Sequence, residues 1–364
     1  MIRGSEDVPG DLWGRPGTDR LLSALGTVVS AYRRISVFSG RRRPPVTPVT
    51  RERELVVDQV RTEAEDVVSL RLVVPREQGG GRDGNVLPRW RPGAHIDLVL
   101  PSGRMRQYSL CGDPADATAY RVAVRLLQGG TASREVHDEL RPGSRVTVRG
   151  PRNAFPLATA DSYLFVAGGV GITPILPMVR AAEAAGAEWR LVYTGRTLAA
   201  MPFLDELSAL DDGRIWIRPD TEYGMPASGA ELLERAPAGA AAYCCGPNPM
   251  ITSLRLDRQG SRVGSLHFER FAPPPIVDGA PFEVELARSG RTVIVPADRS
   301  ALEAIREVVP DVAYSCRQGH CGTCAVGLRA GTVDHRDSVL TEAERERTMM
   351  ICVSRSPDRV VLDL

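Results

Sequence analysis

The chain has 364 residues, of which 43% are hydrophobic and 25% are charged, and its formal net charge is +1. This composition is that of a globular protein long enough for two or three domains. The near-neutral charge and the aromatic content of 5% provide neither the positive field nor the stacking surface that nucleic-acid binding requires, so we expect no nucleic-acid partner.

Membrane insertion and secretion are not expected either. No apolar run approaches the roughly 20 residues needed to span a bilayer. The N-terminus is acidic at Glu6, Asp7 and Asp11 and lacks the charged-then-apolar order of a signal peptide. We therefore expect a cytoplasmic protein.

Residues 1–50 are predicted to form an N-terminal extension. Within it, DRLLSALGTVVSAYRRISVF (residues 19–38) has apolar residues at helical spacing, and the basic, proline-rich linker GRRRPPVTPVT follows. Two interpretations stay open. We favour a helix packed on the protein's own surface over one that touches a membrane or a partner protein.

Residues 51–158 are predicted to form a small antiparallel β-barrel. The segment RQYSL (residues 106–110) lies between the strand-like stretches AHIDLVLPSG and YRVAVRLL, which places it on a strand. Arg106 and Ser109, with Tyr108 between them, offer a cation for phosphate, a hydroxyl donor and an aromatic platform. Taken alone, the motif favours an ordinary strand with a surface arginine.

Residues 159–272 are predicted to form a doubly wound sheet. VAGGVGITPILPMVR (residues 166–180) runs from an apolar strand through a glycine turn into a helix, where a dinucleotide phosphate binds backbone N–H groups. The strand WRLVYTGR and then AYCCGPNPM (residues 242–250) repeat this pattern. The turn residues assigned to the site are Gly168, Gly169, Gly171, Gly246 and Pro247.

The segment that follows is predicted to be a linker and then a third domain. APPPIVDGAP (residues 272–281) indicates a semi-rigid spacer, with the linker assigned to residues 273–281. FEVELARSGRTVIVPAD predicts two strands around Ser289 and Gly290, RSALEAIREVV predicts a helix ending at Pro310, and VVLDL predicts a last strand.

Four of the seven cysteines form a C-x4-C-x2-C run with a distant fourth member: Cys316, Cys321, Cys324 and Cys352. This is the plant-type spacing for a 2Fe-2S cluster, and Gly319 and Gly322 let the loop wrap an inorganic core. A zinc site is the alternative, although zinc sites usually pair their ligands as two C-x2-C units. His320 is interpreted as a loop residue without a ligand role. Residues 282–364 thus resemble a plant-type ferredoxin of the β-grasp kind.

The motifs R-x-Y-S, GG-x-GITP, CGP-x-x-M and HFERF, in this order, resemble those of the ferredoxin-NADP reductase superfamily. The C-terminal cysteine loop narrows the resemblance to the phthalate dioxygenase reductase family, which includes vanillate demethylase reductases. The resemblance covers about residues 51–364. It implies a multi-domain α+β and α/β protein: an FMN-binding antiparallel barrel over residues 51–158, an NAD-binding doubly wound domain over 159–272 and a β-grasp ferredoxin over 282–364.

The resemblance also implies roles for individual residues. The flavin contacts that it implies are Arg106, Gln107, Tyr108, Ser109, Ala123, Val124, Arg125, Thr131, Ala132, Ser133, Thr173 and Phe271. The family's usual R-G-G-S phosphate loop reads QGGTASRE in this chain, and residues 131–133 are its best match. The catalytic positions that it implies are Cys245, Glu269 and Thr173, which position the reactants and do not transfer protons.

FMN and NADH are the expected cofactor pair. The resemblance implies FMN, because superfamily members that bind FAD need extra loop surface for the adenine and the short loops of this chain resemble those of the FMN-binding branch. Arg196, after the second strand of the nucleotide domain, suits a 2′-phosphate of NADPH, but Asp220 and Glu222 in the next loop would repel it. The resemblance also favours NADH.

The order of the three domains indicates their joint function. A nicotinamide gives up two electrons together whereas a 2Fe-2S cluster accepts one, so a flavin is needed between them. We expect an NADH-dependent reductase that passes electrons through FMN and the cluster to a terminal oxygenase, either a Rieske-type non-haem iron enzyme or a cytochrome P450. The alternatives are a redox-sensing or zinc-stabilised nucleotide-binding protein, or a plain flavin reductase.

Overall fold

The structure, a computed structural model, describes residues 52–75, 86–210, 212–271 and 276–364. The predicted N-terminal helix over residues 19–38 lies outside them. No helix among the described residues is long and apolar enough to cross a membrane.

The first sheet is an antiparallel barrel. Its strands are β1 (Glu52–Ala64), β2 (Val67–Val73), β3 (Ala94–Val99), β4 (Met105–Ser109), β5 (Ala119–Arg125) and β6 (Arg145–Asn153), with helix α1 (Thr131–Asp138) between β5 and β6. They are ordered β4-β3-β6-β1-β2-β5. A bridge between Leu110 and Val122 joins the segments at the two edges, so the sheet closes. Alternate apolar residues such as Leu55 and Val57 fill the core, and the predicted barrel is confirmed.

The second sheet is parallel and doubly wound. Its strands are β7 (Ser162–Gly168), β8 (Glu188–Gly195), β9 (Ile215–Pro219), β10 (Ala241–Cys245) and β11 (Ser265–Glu269). The helices are α2 (Ile172–Ala184), α3 (Leu204–Ser208), α4 (Asp220–Tyr223), α5 (Gly229–Leu233) and α6 (Asn248–Asp257). The strand order β11-β10-β7-β8-β9 reverses between β7 and β10. Ligands bind at the carboxyl ends of the strands that flank such a reversal.

The third sheet has the β-grasp arrangement that the sequence predicts. Its elements are β12 (Phe282–Leu286), β13 (Arg291–Val295), α7 (Ala301–Arg306), β14 (Ala325–Ala330), α8 (Glu342–Arg345), β15 (Thr348–Met350) and β16 (Arg359–Leu362). The order is β13-β12-β16-β14-β15, and β12 runs parallel to β16. Helix α7 buries Leu302 and Ile305 in the core of this sheet.

The predicted end of α7 is wrong by several residues. The helix starts at a capping box formed by Ser300 and Glu303 and ends at Arg306, not at Pro310. The proline disfavours helical backbone at the residue before it, Val309. The chain therefore leaves the helix early.

The described part of the predicted linker is attached to the third sheet. Residues 272–275 lie outside the described residues. Beyond them, Arg336 Nη1 donates to the carbonyl oxygen of Val277 at 2.6 Å, and Arg355 Nη2 donates to that of Ala280 at 2.7 Å. From Val277 onward the segment thus belongs structurally to the ferredoxin-like sheet.

Candidate functional site

The carboxyl ends of β7 and β10 lie in close contact where the strand order reverses. A Cβ added to Gly171 would lie 2.2 Å from the carbonyl oxygen of Cys245, and one added to Gly168 would lie 2.7 Å from Cδ of Pro247. Gly169 has a φ of +54°. A side chain at Gly168 or Gly171 would collide with these atoms, and glycine adopts a positive φ without the strain that other residues incur. The predicted glycine turn and Cys-Gly-Pro turn are therefore brought together.

Helix α2 begins directly after this glycine turn. No side chain caps its first turn. Thr173 is buried, and its hydroxyl donates to the carbonyl oxygen of Val170 at 3.0 Å. Pro174 occupies the first turn, where its missing N–H costs nothing. The remaining N–H groups of this turn suit an anionic group such as a dinucleotide phosphate.

The predicted coenzyme-selecting residues lie at the ends of β8 and β9. Arg196 is exposed. Asp220 is paired with the buried Arg218 at 3.1 Å, and Arg218 also donates to Glu231 at 2.8 Å. Because Arg218 is held by two carboxylates, its charge is offset. The local field thus stays unfavourable for a 2′-phosphate.

Ser109, Cys245 and Glu269 meet where the barrel faces the parallel sheet. Ser109 Oγ donates to Glu269 Oε2 at 3.4 Å, and Cys245 is the neighbour of Glu269 in the β10–β11 ladder. Burial raises the pKa of Glu269 to about 8, against the opposing effects of the Ser109 hydrogen bond and of nearby His320. Burial also holds the pKa of the Cys245 thiol well above its usual range. At neutral pH this patch is uncharged, which suits the positioning of rings and not nucleophilic attack.

The start of α1 forms the opposite end of the predicted flavin site. Gly130 precedes the helix, and no side chain caps it. Thr131 is exposed, whereas Ala132 and Ser133 are buried. Ser133 Oγ donates to the carbonyl oxygen of Gly130 and accepts from the N–H of Leu127, both at 3.1 Å. The serine hydroxyl therefore shapes the turn, and the backbone N–H groups are left for a phosphate.

Glu135 on α1 is a contributor that no sequence pattern singles out. Its carboxylate is buried and accepts from the backbone N–H of Ser102 at 2.9 Å and from Ser102 Oγ at 2.5 Å. The turn that contains Ser102 leads into β4, which carries Arg106. Glu135 thus fixes the helix that could hold a phosphate relative to the strand that supplies the cation.

The other predicted flavin contacts differ in exposure: Ala123 and Val124 are buried, Tyr108 is half-buried, and Arg106, Arg125 and Phe271 are exposed. Burial raises the pKa of Tyr108 to about 12, so the phenol stays protonated. Arg125 Nε lies 3.0 Å from Asp66 Oδ2. Gln107 differs from the other predicted flavin contacts in having a partner in the ferredoxin-like part of the chain: its side-chain amide donates to the carbonyl oxygen of Ser315 at 3.1 Å.

The predicted cluster ligands lie close together as two pairs: the thiol of Cys321 lowers the pKa of Cys316, and the thiol of Cys352 raises the pKa of Cys324. Gly319 and Gly322 have φ angles of 75° and 79°, which give the loop the tight curvature that only glycine adopts easily. No group of three or more His, Cys, Asp or Glu side chains in the described residues has the geometry to hold a metal ion. Two pairs of thiols are a donor set that fits a two-iron cluster.

Donor groups converge on the first of these ligands. The N–H of Gln318 donates to Cys316 Sγ at 3.3 Å. The thiol of Cys321, and then the N–H groups of His320, Gln318 and Cys321, lower the pKa of Cys316 to about 6 despite its burial. Cys316 itself raises the pKa of Cys321, so the lowered pKa of Cys316 reflects the closeness of the two thiols.

His95, the partner of Ser109 in the β3–β4 ladder, gives this region a pH-dependent stability. Burial, and then the charge of Arg152, lower its pKa from 6.5 to about 4. Between these values the unfolded chain binds the proton and the folded chain does not, so stability is complete above pH 6.5 and falls as the pH decreases towards 4. We expect a loss of about 2 kcal/mol between pH 7 and pH 5 from this group.

The His95→Gln variant should lack this part of the acid sensitivity in urea unfolding measured at both pH values. An unchanged difference between pH 7 and pH 5 would assign the sensitivity to other groups.

Two family models match the chain. The oxidoreductase FAD-binding domain matches residues 56–156, and the 2Fe-2S iron-sulfur cluster binding domain matches residues 284–356. Phthalate dioxygenase reductase of Burkholderia cepacia is 36% identical over 311 residues, which are 83% of this chain and 94% of that protein.

Solved structures extend the similarity to the whole described fold. A phthalate dioxygenase reductase, described as a modular structure for electron transfer from pyridine nucleotides to 2Fe-2S, matches with a TM-score of 0.65 at 34% identity, over 86% of this chain and 98% of that one. An intact type IV self-sufficient cytochrome P450 monooxygenase matches with a TM-score of 0.70 at 36% identity, over 90% of this chain. This chain spans only 44% of that P450 protein.

A flavin-binding barrel, a dinucleotide-binding sheet and a plant-type ferredoxin in one chain define an iron-sulfur flavoprotein reductase. The chain belongs to the phthalate dioxygenase reductase family. The predicted cofactors, FMN, NADH and a 2Fe-2S cluster, are confirmed, and so is the predicted transfer of electrons through them to a terminal oxygenase of the Rieske or P450 kind.

Proposed function

We propose that three groups of residues divide this reaction between them. Arg106 and the first turn of α1 bind the FMN phosphate. The residues that position the reacting rings are Ser109, Thr173, Cys245 and Glu269. The turns that bind NADH contain Gly168, Gly169, Gly171, Gly246 and Pro247. The observation that supports this division best is the meeting of Ser109, from the flavin motif, with Glu269 and Cys245 at the strand-order reversal.

The uncharged state of this patch supports a positioning role. The flavin and nicotinamide rings must stack within reach of each other for hydride transfer, and oriented side chains lower the entropic barrier to that arrangement. A protonated Glu269 and a protonated Cys245 add no charge beside the reacting rings. Their contribution is therefore shape and hydrogen bonding.

We further propose domain boundaries and a location. The three sheets support a flavin domain over residues 51–158, a nucleotide domain over 159–272 and a ferredoxin domain over 282–364. Within the linker predicted over 273–281, the part from Val277 onward is bound to the ferredoxin sheet. The cysteines of the described residues are all free thiols, which agrees with a reducing compartment such as the cytoplasm.

The Arg106→Ala variant tests the flavin position. Loss of one charge-assisted hydrogen bond to a phosphate should weaken FMN binding about 10- to 100-fold. Titration of flavin-free protein with FMN, followed by flavin fluorescence, measures the change. Arg71→Ala, which removes a surface ion pair with Asp58 elsewhere on the barrel, is the control and should leave affinity unchanged. Equal affinities for both variants would move the phosphate away from β4.

A further inference from the structure

The contact between the barrel and the cluster loop is built around one buried carboxylate. Asp97, in the middle of β3, is 0% exposed. Its Oδ1 accepts from Arg152 Nη2 at 2.6 Å, and its Oδ2 accepts from the Tyr314 hydroxyl at 2.8 Å. Arg152 belongs to β6 of the barrel, whereas Tyr314 shortly precedes the ligand Cys316. One carboxylate thus joins the barrel to the start of the cluster loop.

A second hydrogen bond joins the same two parts. Gln107 is the partner of Asp97 in the β3–β4 ladder and lies within the proposed flavin motif. Its amide donates to the carbonyl oxygen of Ser315 at 3.1 Å, and Ser315 is the direct neighbour of Cys316. A single side chain therefore links the proposed flavin strand to the residue beside the first cluster ligand.

The charges around Tyr314 make Asp97 necessary to this contact. The guanidinium carbons of Arg152, Arg306 and Arg317 lie 5.2, 4.2 and 5.1 Å from the centre of the Tyr314 ring. These positions favour cation–π attraction, but three cations also repel one another in a partly desolvated space. Asp97 supplies negative charge inside this group, and without it the repulsion would act against closure of the contact.

We propose that Asp97, Gln107 and Tyr314 are positioning residues for electron transfer between the flavin and the cluster. They hold the segment before Cys316 against β4, and this inference rests on the flavin position proposed above. When these cofactors are bound, NADH would give the flavin two electrons as a hydride, and the flavin would pass them one at a time to the cluster, which would hand each electron to the terminal oxygenase before it accepts the next. Electron transfer between fixed groups slows steeply as their separation grows, so the rate depends on holding this segment in place.

The Tyr314→Phe and Asp97→Asn variants of the full, cofactor-loaded chain test the proposal. Flash photoreduction of the flavin starts the reaction without NADH, and the cluster absorbance then reports the transfer rate. We expect Tyr314→Phe to slow this transfer at least about 10-fold, the effect of losing one hydrogen bond to a charged group, and Asp97→Asn to slow it more. Hydrogen–deuterium exchange in residues 310–316 should become faster in both variants.

The control is Tyr120→Phe, which removes a hydroxyl that donates to the Pro88 carbonyl oxygen at 2.7 Å inside the barrel. This variant should keep the transfer rate and the exchange pattern. The rate of flavin reduction by NADH should stay unchanged in all three variants, and the spectrum of the cluster should be intact. Both test variants weaken the same Asp97–Tyr314 pair, Tyr314→Phe by removing the hydroxyl and Asp97→Asn by removing the negative charge, so the double variant should show less than the sum of their effects on the logarithm of the rate.

Transfer rates and exchange equal to those of the parent protein in both test variants would overturn the proposal. An equal slowing of flavin reduction by NADH would also overturn it, because the residues would then act on general stability. A failure of the flavin position itself is distinguishable, since Arg106→Ala would then retain FMN.

Discussion

We expect the Cys352→Ala variant to lose the 2Fe-2S cluster and the ability to reduce a terminal oxygenase. Cys352 is the predicted ligand that lies far from the other three in sequence, and its thiol raises the pKa of Cys324 in the structure. Oxygenase reduction should fall at least about 100-fold, because even groups outside the ligand shell contribute about 10- to 100-fold at metal sites. Reduction of the flavin by NADH should continue, since the nucleotide turn and the barrel do not depend on this residue.

The matched control is Cys111→Ala, which removes another buried thiol but from the hydrophobic cluster where the barrel packs on the parallel sheet. It should lower the free energy of unfolding by about 1–2 kcal/mol through the lost packing and keep the cluster. Iron and acid-labile sulfide, measured per chain together with the visible spectrum, separate the two outcomes. A Cys352→Ala protein with a full complement of iron and sulfide would show that the fourth ligand is another residue.

The parts of the site that the sequence predicts are those with local signatures. The glycine turn and the Cys-Gly-Pro turn each mark the carboxyl end of a strand, and the parallel sheet must bring such ends to one edge. Their contact, with Gly171 against the Cys245 carbonyl, therefore follows from topology. The cysteine spacing is also a local signature, because one loop contains three of the four predicted cluster ligands.

The contacts between sheets have no such signature. Asp97 and Tyr314 are 217 residues apart, and Gln107 and Ser315 are 208 apart. These residues meet because the ferredoxin sheet packs on the barrel. The hydrophobic periodicity and secondary-structure propensity of the sequence do not encode that packing. Asp97 lies in an apolar strand, where a buried carboxylate is expensive unless it is paired. That exception to the strand pattern is the only trace of the contact in the sequence.

Gln107 has a contact in the structure that the motif does not predict. The resemblance assigns Gln107 to the flavin, and alternation along the strand places it on the same face as Ser109 and on the face opposite to Arg106 and Tyr108. The structure directs the Gln107 amide to the Ser315 carbonyl oxygen. A residue predicted to contact the flavin thus also joins its strand to the segment beside the first predicted cluster ligand.

Gly171→Ala is the other substitution from which we expect a large effect. It should slow the reduction of the flavin by NADH. The added Cβ would lie 2.2 Å from the carbonyl oxygen of Cys245, 2.6 Å from its carbonyl carbon and 3.0 Å from the nitrogen of Gly246. All three are backbone atoms, so no side chain can rotate to relieve the clash, and the two turns must separate. We expect a loss of about 1–3 kcal/mol in the free energy of unfolding. Since a misplacement of about 1 Å can cost roughly 100-fold in rate, kcat/KM for NADH should fall by up to that factor.

Gly186→Ala is the control for the backbone part of this effect. Gly186 follows α2 with a φ of +66° and has no atom within 4 Å of an added Cβ. Alanine there should cost about 1–2 kcal/mol in left-handed strain and leave kcat/KM for NADH unchanged. Stopped-flow reduction of the flavin over a range of NADH concentrations, together with thermal unfolding, measures both quantities. Equal kinetic effects of the two variants would mean that general destabilisation, and not the separation of the two turns, governs NADH use.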